Sequence, residues 1–213
     1  MDMTRILVIS DIHGQAAALH SLLQMAEYAP GKDRLYLLGD FINRERESWP
    51  ALREAMALVR EGARAVLGNM ERWLLDASGR GEGLPADAEE LRFLNETPLY
   101  WQEEGFLFAH AGIRPGLPPD KQSAADLTEI RGEFWADGGP LPYTVVFGHT
   151  PTFKLGAPAG ELWLGRDRIG IDTGAKHGCR LTLVDLTNRM AYSCGIKQGR
   201  QQSDCRLSSW EPK

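Results

Sequence analysis

The chain has 213 residues, of which 43% are hydrophobic and 25% are charged. That balance is typical of a folded globular protein and excludes disorder of the whole chain. The net charge of -5 argues against a basic face for nucleic acid, and no apolar run approaches the roughly 20 residues of a bilayer span. We therefore expect neither a nucleic acid nor a membrane as a partner.

The cysteines and the N-terminus bear on the compartment. The chain has three cysteines, an odd number, and no Cys-x-x-Cys pair: Cys179, Cys194 and Cys205. We therefore expect no disulfide framework, and we expect Cys179 and Cys194 to be thiols of the core. The N-terminus leads directly into an apolar run, with no basic segment or cleavage site, and predicts no export signal. These features favour a cytoplasmic protein.

The first half of the chain alternates short apolar runs with amphipathic segments. We predict strands over 5–9, 34–38 and 63–67, and helices over 14–28, 49–59, 72–76 and 86–95. This alternation is the βαβαβ pattern of parallel neighbouring strands covered by helices.

Short strands dominate the second half. A hairpin is predicted over 99–109, a helix over 124–134, and strands over 144–147, 162–164, 168–171, 181–185 and 190–193. The polar segment 197–213 predicts a poorly ordered tail. We expect one folded domain over 1–195 followed by a polar C-terminal tail over 196–213, because no linker is long enough to separate two domains.

Five predicted strands end in a polar cluster. The endings are Asp11-Ile12-His13-Gly14, Gly39-Asp40, Gly68-Asn69, His110-Ala111-Gly112 and Gly148-His149-Thr150. In open α/β sheets, ligands bind beyond the carboxyl ends of the strands. The pattern therefore brings six side chains to one edge: Asp11, His13, Asp40, Asn69, His110 and His149.

These six side chains are suitable ligands for two divalent metal ions. Carboxylate, amide oxygen and imidazole suit Mn²⁺, Fe or Zn²⁺, and one aspartate can bridge two ions about 3.5–4 Å apart. Taken singly, each ending is more typical of a turn or of a hydrogen-bonded core histidine. Five such endings in one chain favour a metal site.

The order of these motifs resembles the phosphoprotein phosphatase family, within the calcineurin-like metallophosphoesterases. Bacterial and phage-type serine/threonine protein phosphatases and symmetrical diadenosine tetraphosphatases are the most similar members. The resemblance covers residues 5–185 and includes the five endings, together with Gly39-Asp40-Phe41-Ile42-Asn43-Arg44, Gly68-Asn69-Met70-Glu71 and Ile171-Asp172-Thr173-Gly174. It implies an α/β fold in which central mixed sheets form a β-sandwich flanked by helices.

The resemblance also implies roles for individual residues. Asp11 and His13 would hold the first ion, Asp40 would bridge both ions, and Asn69, His110 and His149 would hold the second, with Mn²⁺ the favoured metal and Fe or Zn²⁺ as alternatives. Arg44 and Arg131 would grip the phosphate, which Asn69 would also contact, and His177 would lie near the mouth of the site. A hydroxide bridging the two ions would attack phosphorus in line.

Two positions depart from the family pattern. The family has histidine where this chain has Met70, and aspartate where it has Asn43; that histidine is the general acid for the leaving group and that aspartate orients it. A positioned general acid contributes about 10²–10⁴-fold. Its loss matters most for a serine alkoxide and least for a phosphate leaving group, whose second pKa is about 6.

The sequence is compatible with three functions. The first is a dinuclear metal-dependent phosphatase of the serine/threonine protein phosphatase type, acting on a phosphorylated protein or a small phosphate ester. The second is a phosphoanhydride hydrolase acting on diadenosine polyphosphates. The third is a catalytically reduced protein that binds phosphate or metal. The sequence leaves the oligomeric state open.

Overall fold

The computed structural model describes residues 4–81, 86–136, 139–196 and 204–212. Its first half contains β1 (Ile6–Ile9), α1 (Ala16–Met25), β2 (Arg34–Leu37), α2 (Pro50–Arg60), β3 (Arg64–Ala65), α3 (Asn69–Gly79) and α4 (Ala88–Glu96). Its second half contains β4 (Tyr100–Glu103), β5 (Phe106–Ala109), α5 (Ala124–Glu129), α6 (Gly132–Trp135), β6 (Thr144–Phe147), β7 (Trp163–Gly165), β8 (Arg168–Gly170), β9 (Arg180–Asp185), β10 (Met190–Gly195) and β11 (Cys205–Ser209).

The strands form two mixed sheets. The six-stranded sheet has the order β11-β10-β9-β1-β2-β3, and the five-stranded sheet has the order β4-β5-β6-β8-β7. In the first sheet β1, β2 and β3 are parallel, whereas β9 runs antiparallel to β1. In the second sheet β5, β6 and β8 are parallel. The parallel strands of each sheet therefore end at a common edge.

Side-chain alternation explains how the two sheets pack. In β1, Ile6 and Val8 belong to a buried cluster that also contains Phe108 and Val146 of the other sheet. The ring of Tyr36 on β2 stacks on Phe108 with centroids 3.9 Å apart. Since successive side chains of a strand point to opposite faces, one face of each sheet is left to be covered by helices.

Helices cover both outer faces of the sandwich. Leu7 and Ile9 of β1 pack with Leu19, Leu52 and other residues of the first four helices. Leu107 and Val145 of the second sheet pack with Leu127, Ile130 and Phe134 around α5 and α6. The predicted fold class, mixed sheets in a sandwich flanked by helices, is confirmed.

Two predicted elements differ from the structure. The helix predicted over 124–134 is broken between α5 and α6, because Ile130 and Arg131 leave the helical region, with ψ of 147° and -114°. The strand predicted over 63–67 pairs only through Arg64–Ala65. Among the residues that the structure describes, no helix has the length and apolarity to cross a membrane.

The C-terminal segment also departs from expectation. Part of the predicted tail, 197–203 and residue 213, lies outside the described residues, but Cys205–Ser209 form a strand rather than a poorly ordered tail. This strand extends the sheet past the boundary expected at residue 195. All five residues are exposed, so they have no apolar alternation that would have indicated a strand.

The cysteine prediction is also wrong in part. Antiparallel pairing of β10 with β11 places Cys205 opposite Cys194, and the two form a disulfide, with Cα atoms 4.0 Å apart. Cys194 is therefore not a free core thiol, whereas Cys179 is unpaired. The pairing depends on a strand that the sequence does not indicate, and it weakens the thiol-based argument for a reducing compartment.

Candidate metal centre

The backbone turns sharply where the strands end. Asp11, His13, Asp40 and His149 all have positive φ angles, of 53°, 46°, 52° and 64°. Residues other than glycine rarely adopt this region, and such residues cluster at functional sites. The bends are held by backbone hydrogen bonds, among them those from the Asp11 and His13 amides to the Gly39 and Asp40 carbonyls.

The bends bring side chains of distant sequence position together. Ligand atoms of Asp11, Asp40 and His110 lie within 4.8 Å of one another. Nε2 of His13 is 3.6 Å from Oδ1 of Asp11 and 3.6 Å from Oδ2 of Asp40, and Nε2 of His110 is 3.5 Å from Oδ1 of Asp40. These separations are too long for good hydrogen bonds and leave room for a cation between the groups.

Hydrogen bonds on the far side of two rings orient their ligand nitrogens. Nδ1 of His110 donates to the carbonyl of Leu38 at 2.7 Å, and Nδ1 of His13 lies 3.3 Å from the carbonyl of Ile42. Donation from Nδ1 leaves Nε2 as the lone-pair nitrogen, as is usual for metal-binding histidines. Nε2 of His149 is buried and has no hydrogen-bond partner among the residues that the structure describes.

Asn69 joins the same cluster. Its Oδ1 lies 3.1 Å from Nε2 of His110. When Nδ1 of His110 carries the proton donated to Leu38, a neutral ring has a lone pair on Nε2, and this lone pair faces those of Oδ1 of Asn69. A proton on Nε2 or a cation between the two atoms would relieve that repulsion. In the protein without metal, burial opposes the charged form of His110, but the carboxylates of Asp40 and Asp11 prevail and raise the pKa of the ring.

The pKa values of the other ligands reflect the same crowding. Burial acts to raise the pKa of Asp11, but His110 and His13 outweigh it and lower that pKa. Burial opposes the charged form of His13, yet Asp11 and Asp40 raise its pKa to about 9. Burial and the neighbouring His110 lower the pKa of His149 to about 3, so its ring is neutral and free to bind metal at neutral pH.

Small residues and one buried glutamate fix the loops. A Cβ on Gly148 would lie 2.1 Å from Oδ2 of Asp11, and one on Gly68 would lie 2.3 Å from Oδ1 of Asp40. Glu71, fully buried at the start of α3, accepts hydrogen bonds from the backbone amides of Asp40, Phe41, Ile42 and Gly68. It therefore ties the loop after β2 to the loop after β3.

The cluster forms the floor of a surface pocket of about 170 Å³. Five of the six predicted ligands line it, namely Asp11, His13, Asp40, Asn69 and His149. The sixth, His110, is completely buried beside them. The structure thus brings together all six residues that the sequence singles out, and their oxygen and nitrogen atoms fit divalent transition metals.

The predicted substrate-binding residues are divided between two places. Arg131 and His177 line the pocket; Arg131 approaches Oγ1 of Thr150 at 3.5 Å, and the ring of His177 packs edge-on against Phe153. Arg44 is exposed and does not line the pocket, because its guanidinium lies over the ring of Trp73, 5.2 Å from the centroid. Arg131 is therefore the better-placed arginine.

The two departures from the family pattern occupy defined positions. Met70 is 7% exposed and packs in the core beneath the helices, while its backbone amide donates to Oδ1 of Asp40 at 2.9 Å. Nδ2 of Asn43 donates to the carbonyl of His13 at 3.2 Å, and its Oδ1 is buried with no hydrogen-bond partner in the described part of the chain. Neither side chain can donate a proton to a leaving group.

Four residues that line the pocket are not among the site residues predicted from the sequence: Pro151, Lys154, Asp172 and Lys176. In the sequence, Asp172 is recognisable only as part of the motif Ile171-Asp172-Thr173-Gly174. Its Oδ1 accepts a hydrogen bond from the amide of Gly174. Burial and the nearby charge of Asp11 raise its pKa to about 8. The lysines lie in irregular loops that carry no periodic signal. Glu71 was likewise noted only within a motif.

Comparison with known proteins agrees with this geometry. The family model described as calcineurin-like phosphoesterase matches residues 4–181. Proteins named symmetrical bis(5'-nucleosyl)-tetraphosphatase from Cronobacter sakazakii and Shigella dysenteriae are 33% and 32% identical in alignments 160 positions long that cover 68% of this chain. The chain spans about half, 55%, of the length of these curated relatives.

A solved structure extends the similarity to nearly the whole chain. A protein described as a candidate diadenosine tetraphosphatase is 27% identical, with a TM-score of 0.74, and the match covers 93% of this chain and 96% of that one. The region matched by the family model includes all six predicted ligands. The chain belongs to the calcineurin-like phosphoesterase family.

Proposed function

We propose that this protein hydrolyses phosphoanhydrides of the diadenosine polyphosphate class at a centre of two divalent metal ions. The observation that carries the proposal is the position of Met70, which packs in the core next to the ligand Asn69. The dyad that would protonate an alkoxide is replaced by two side chains that cannot do so. A phosphate leaving group, with a second pKa of about 6, departs without that proton.

The chain's own residues have distinct tasks in this proposal. Asp11 and His13 would hold one ion, Asp40 would bridge both, and Asn69, His110 and His149 would hold the other. When bound, the ions supply Lewis acidity and lower the pKa of a bound water. Arg131 at the pocket mouth would bind the oxygens of the phosphoryl group under attack and offset the charge that develops on them.

Manganese is our proposed metal, with iron and zinc as alternatives. Carboxylate, amide and imidazole ligands without thiolate suit each of them. Elemental analysis of the protein purified without added metal, followed by reconstitution with single metals, tests this choice. Activity restored by manganese and by neither of the others would support it, whereas restoration by zinc or iron alone would contradict it.

The relatives support the same substrate class. Two proteins named as symmetrical bis(5'-nucleosyl)-tetraphosphatases share about a third of their residues with the matched region. This chain spans 55% of their length, so the match alone does not transfer the activity of the whole relatives to it. The substrate assignment therefore depends on the pocket of this chain and on kinetic measurement.

The protein phosphatase function, predicted first from the sequence, is the second candidate. The complete ligand set favours hydrolysis of phosphate esters in general. Without a positioned acid, however, turnover of an alkyl ester should be about 10²–10⁴-fold lower than with one. We therefore expect aryl phosphates to be intermediate substrates and phosphoserine peptides to be poor ones. The complete ligand set argues against the third function, a catalytically reduced binding protein.

The test compares kcat/KM for three substrates in the presence of manganese: diadenosine tetraphosphate, p-nitrophenyl phosphate and a phosphoserine peptide. We expect kcat/KM to decrease in that order and to be at least about a hundredfold higher for diadenosine tetraphosphate than for the phosphoserine peptide. A preference for the phosphoserine peptide would contradict the proposal. If none of the three substrates is turned over by the manganese-loaded protein, the binding function would be favoured instead.

Restoring the dyad provides the second arm. The double variant Met70→His/Asn43→Asp should raise kcat for the phosphoserine peptide by at least about tenfold, with little change for diadenosine tetraphosphate. Met25→His/Asn95→Asp makes the same chemical changes on exposed helix surfaces and serves as the control. Equal effects of the two double variants would contradict the argument from the missing acid.

A further inference from the structure

We propose that Lys154 and Lys176 form a second anion subsite at the mouth of the pocket, beside Arg131. The subsite binds the phosphates of a polyphosphate chain that are not being attacked. It rests on the proposed function and deepens it, because it assigns the substrate class as chains of three or more linked phosphates rather than phosphate monoesters.

The two lysines reach the pocket from different loops. Lys154 lies in the turn at 152–155 that follows β6, and Lys176 lies in the turn at 175–177 that follows Asp172. Both line the pocket together with Arg131, which precedes α6. Three cationic side chains from three separate segments therefore converge on one opening.

The cations are not neutralised by the protein. Lys154, Lys176 and Arg131 are exposed, and within the described part of the chain none of them forms an ion pair, unlike Lys121, which pairs with Asp120. The carboxylates of the floor, by contrast, are buried. The predicted metal ligands therefore lie deep in the pocket, and cationic side chains without an ion pair lie at its mouth.

The charge of both lysines acts at the mouth of the pocket. After burial, Lys154 and Lys176 are the main causes that lower the pKa of His177 at the mouth. An anion at the opening would therefore lie within the field of both lysines, whereas a phosphoryl group at the floor would contact the metal-ligand cluster.

The size of the pocket shows which part of a substrate the subsite would meet. A volume of about 170 Å³ is below the roughly 300–1,000 Å³ of sites that enclose a drug-sized ligand. The pocket can hold a phosphoryl group but cannot enclose a dinucleotide. The remaining phosphates of a polyphosphate substrate must therefore lie across the mouth, near Lys154, Lys176 and Arg131. These side chains would favour substrates that carry more negative charge.

The main test is the double variant Lys154→Gln/Lys176→Gln, with Lys32→Gln as the control, because Lys32 is exposed and lies outside the pocket. We expect kcat/KM for diadenosine tetraphosphate to fall about tenfold more than kcat/KM for p-nitrophenyl phosphate, through KM rather than kcat. The difference between substrates should shrink at high salt, since exposed charges are screened. Equal losses for both substrates, or no loss, would overturn the proposal.

An inhibition assay separates failure of the subsite from failure of the proposed function. Tripolyphosphate and orthophosphate are compared as inhibitors of p-nitrophenyl phosphate hydrolysis with manganese in excess. The unmodified protein and Lys32→Gln should bind tripolyphosphate more tightly than orthophosphate, and the double lysine variant should lose that preference. Loss of the preference without any hydrolysis of diadenosine tetraphosphate would retain the subsite and refute the proposed function. An unchanged preference in the double lysine variant would refute the subsite.

Discussion

The two sheets contribute different chemistry to one site. The strands of the six-stranded sheet end at Asp11, Asp40 and Asn69, which offer oxygen atoms, whereas those of the five-stranded sheet end at His110 and His149, which offer imidazoles. His13 adds one nitrogen from the first sheet. Neither sheet alone presents all six predicted ligands, so the cluster exists only where the sandwich brings the two edges together.

Direct hydrogen bonds hold that junction. The amide of His149 donates to Oδ2 of Asp11 at 2.9 Å, and Nδ1 of His110 donates to the carbonyl of Leu38 at 2.7 Å. Each bond joins a residue of one sheet to a residue of the other. Packing of the sandwich and geometry of the ligands are therefore coupled, and changes at the junction should affect both stability and metal binding.

The largest expected effect comes from Asp40, which faces histidines from both sheets. Asp40→Asn removes one charge and one oxygen, and we expect manganese-dependent kcat/KM for p-nitrophenyl phosphate to fall at least about a hundredfold, since even partners of metal ligands are worth 10–100-fold. Metal content after dialysis provides an independent readout. Asp120→Asn, at an exposed aspartate, is the control. Full metal content with unchanged activity would remove Asp40 from the site.

The junction itself can be broken at Gly148. In Gly148→Ala the new methyl group would lie 2.1 Å from Oδ2 of Asp11 and from Oγ of Ser10, so one sheet must move away from the other. We expect the free energy of unfolding of the metal-free protein to fall by about 1–3 kcal/mol. Urea unfolding measures this change, with Gly79→Ala as the control because its Cβ would meet open space. Equal stability of the two variants would contradict close contact at the junction.

A comparable change can be made within the six-stranded sheet alone. Both carboxylate oxygens of Glu71 accept backbone amides, so Glu71→Gln would turn an NH₂ group toward amide donors. Leaving buried donors unsatisfied costs about 1–3 kcal/mol, and thermal unfolding should detect the loss. Glu96→Gln, at an exposed glutamate, should change the stability little. If Glu71→Gln is as stable as its control, the loops after β2 and β3 do not depend on this carboxylate.

Much of the fold and the clustering of the six predicted ligands could be predicted because both depend on local patterns. Apolar runs that end at a polar residue locate the parallel strands, and parallel strands of one sheet necessarily end together. The pairing of Cys194 with Cys205 could not be predicted, because β11 is polar and exposed throughout. The position of Arg44 over Trp73 and the convergence of Lys154 and Lys176 depend on loop conformations that carry no periodic signal.

Asp172 does not follow the division between a sheet edge that offers oxygen atoms and one that offers imidazoles. The effect expected from changing it is the smallest of those considered. Asp172 follows β8 of the five-stranded sheet but offers oxygen atoms, and burial, with the charge of Asp11, raises its pKa to about 8. The folded protein without metal therefore keeps a proton that the unfolded chain, with an aspartate pKa of about 3.9, has lost. Its contribution to stability is present in full below about pH 4 and is lost as the pH rises through about 8.

Asp172→Asn removes this dependence and keeps an oxygen that can accept from Gly174. Between pH 5 and 8, the urea midpoint of the metal-free parent should fall more steeply than that of Asp172→Asn. Excess manganese should make the parent curve flatter, because nearby cations favour the carboxylate. Parallel curves for the two metal-free proteins would show that Asp172 is charged in the folded state. The five-stranded sheet would then contribute a carboxylate to the site as well as imidazoles.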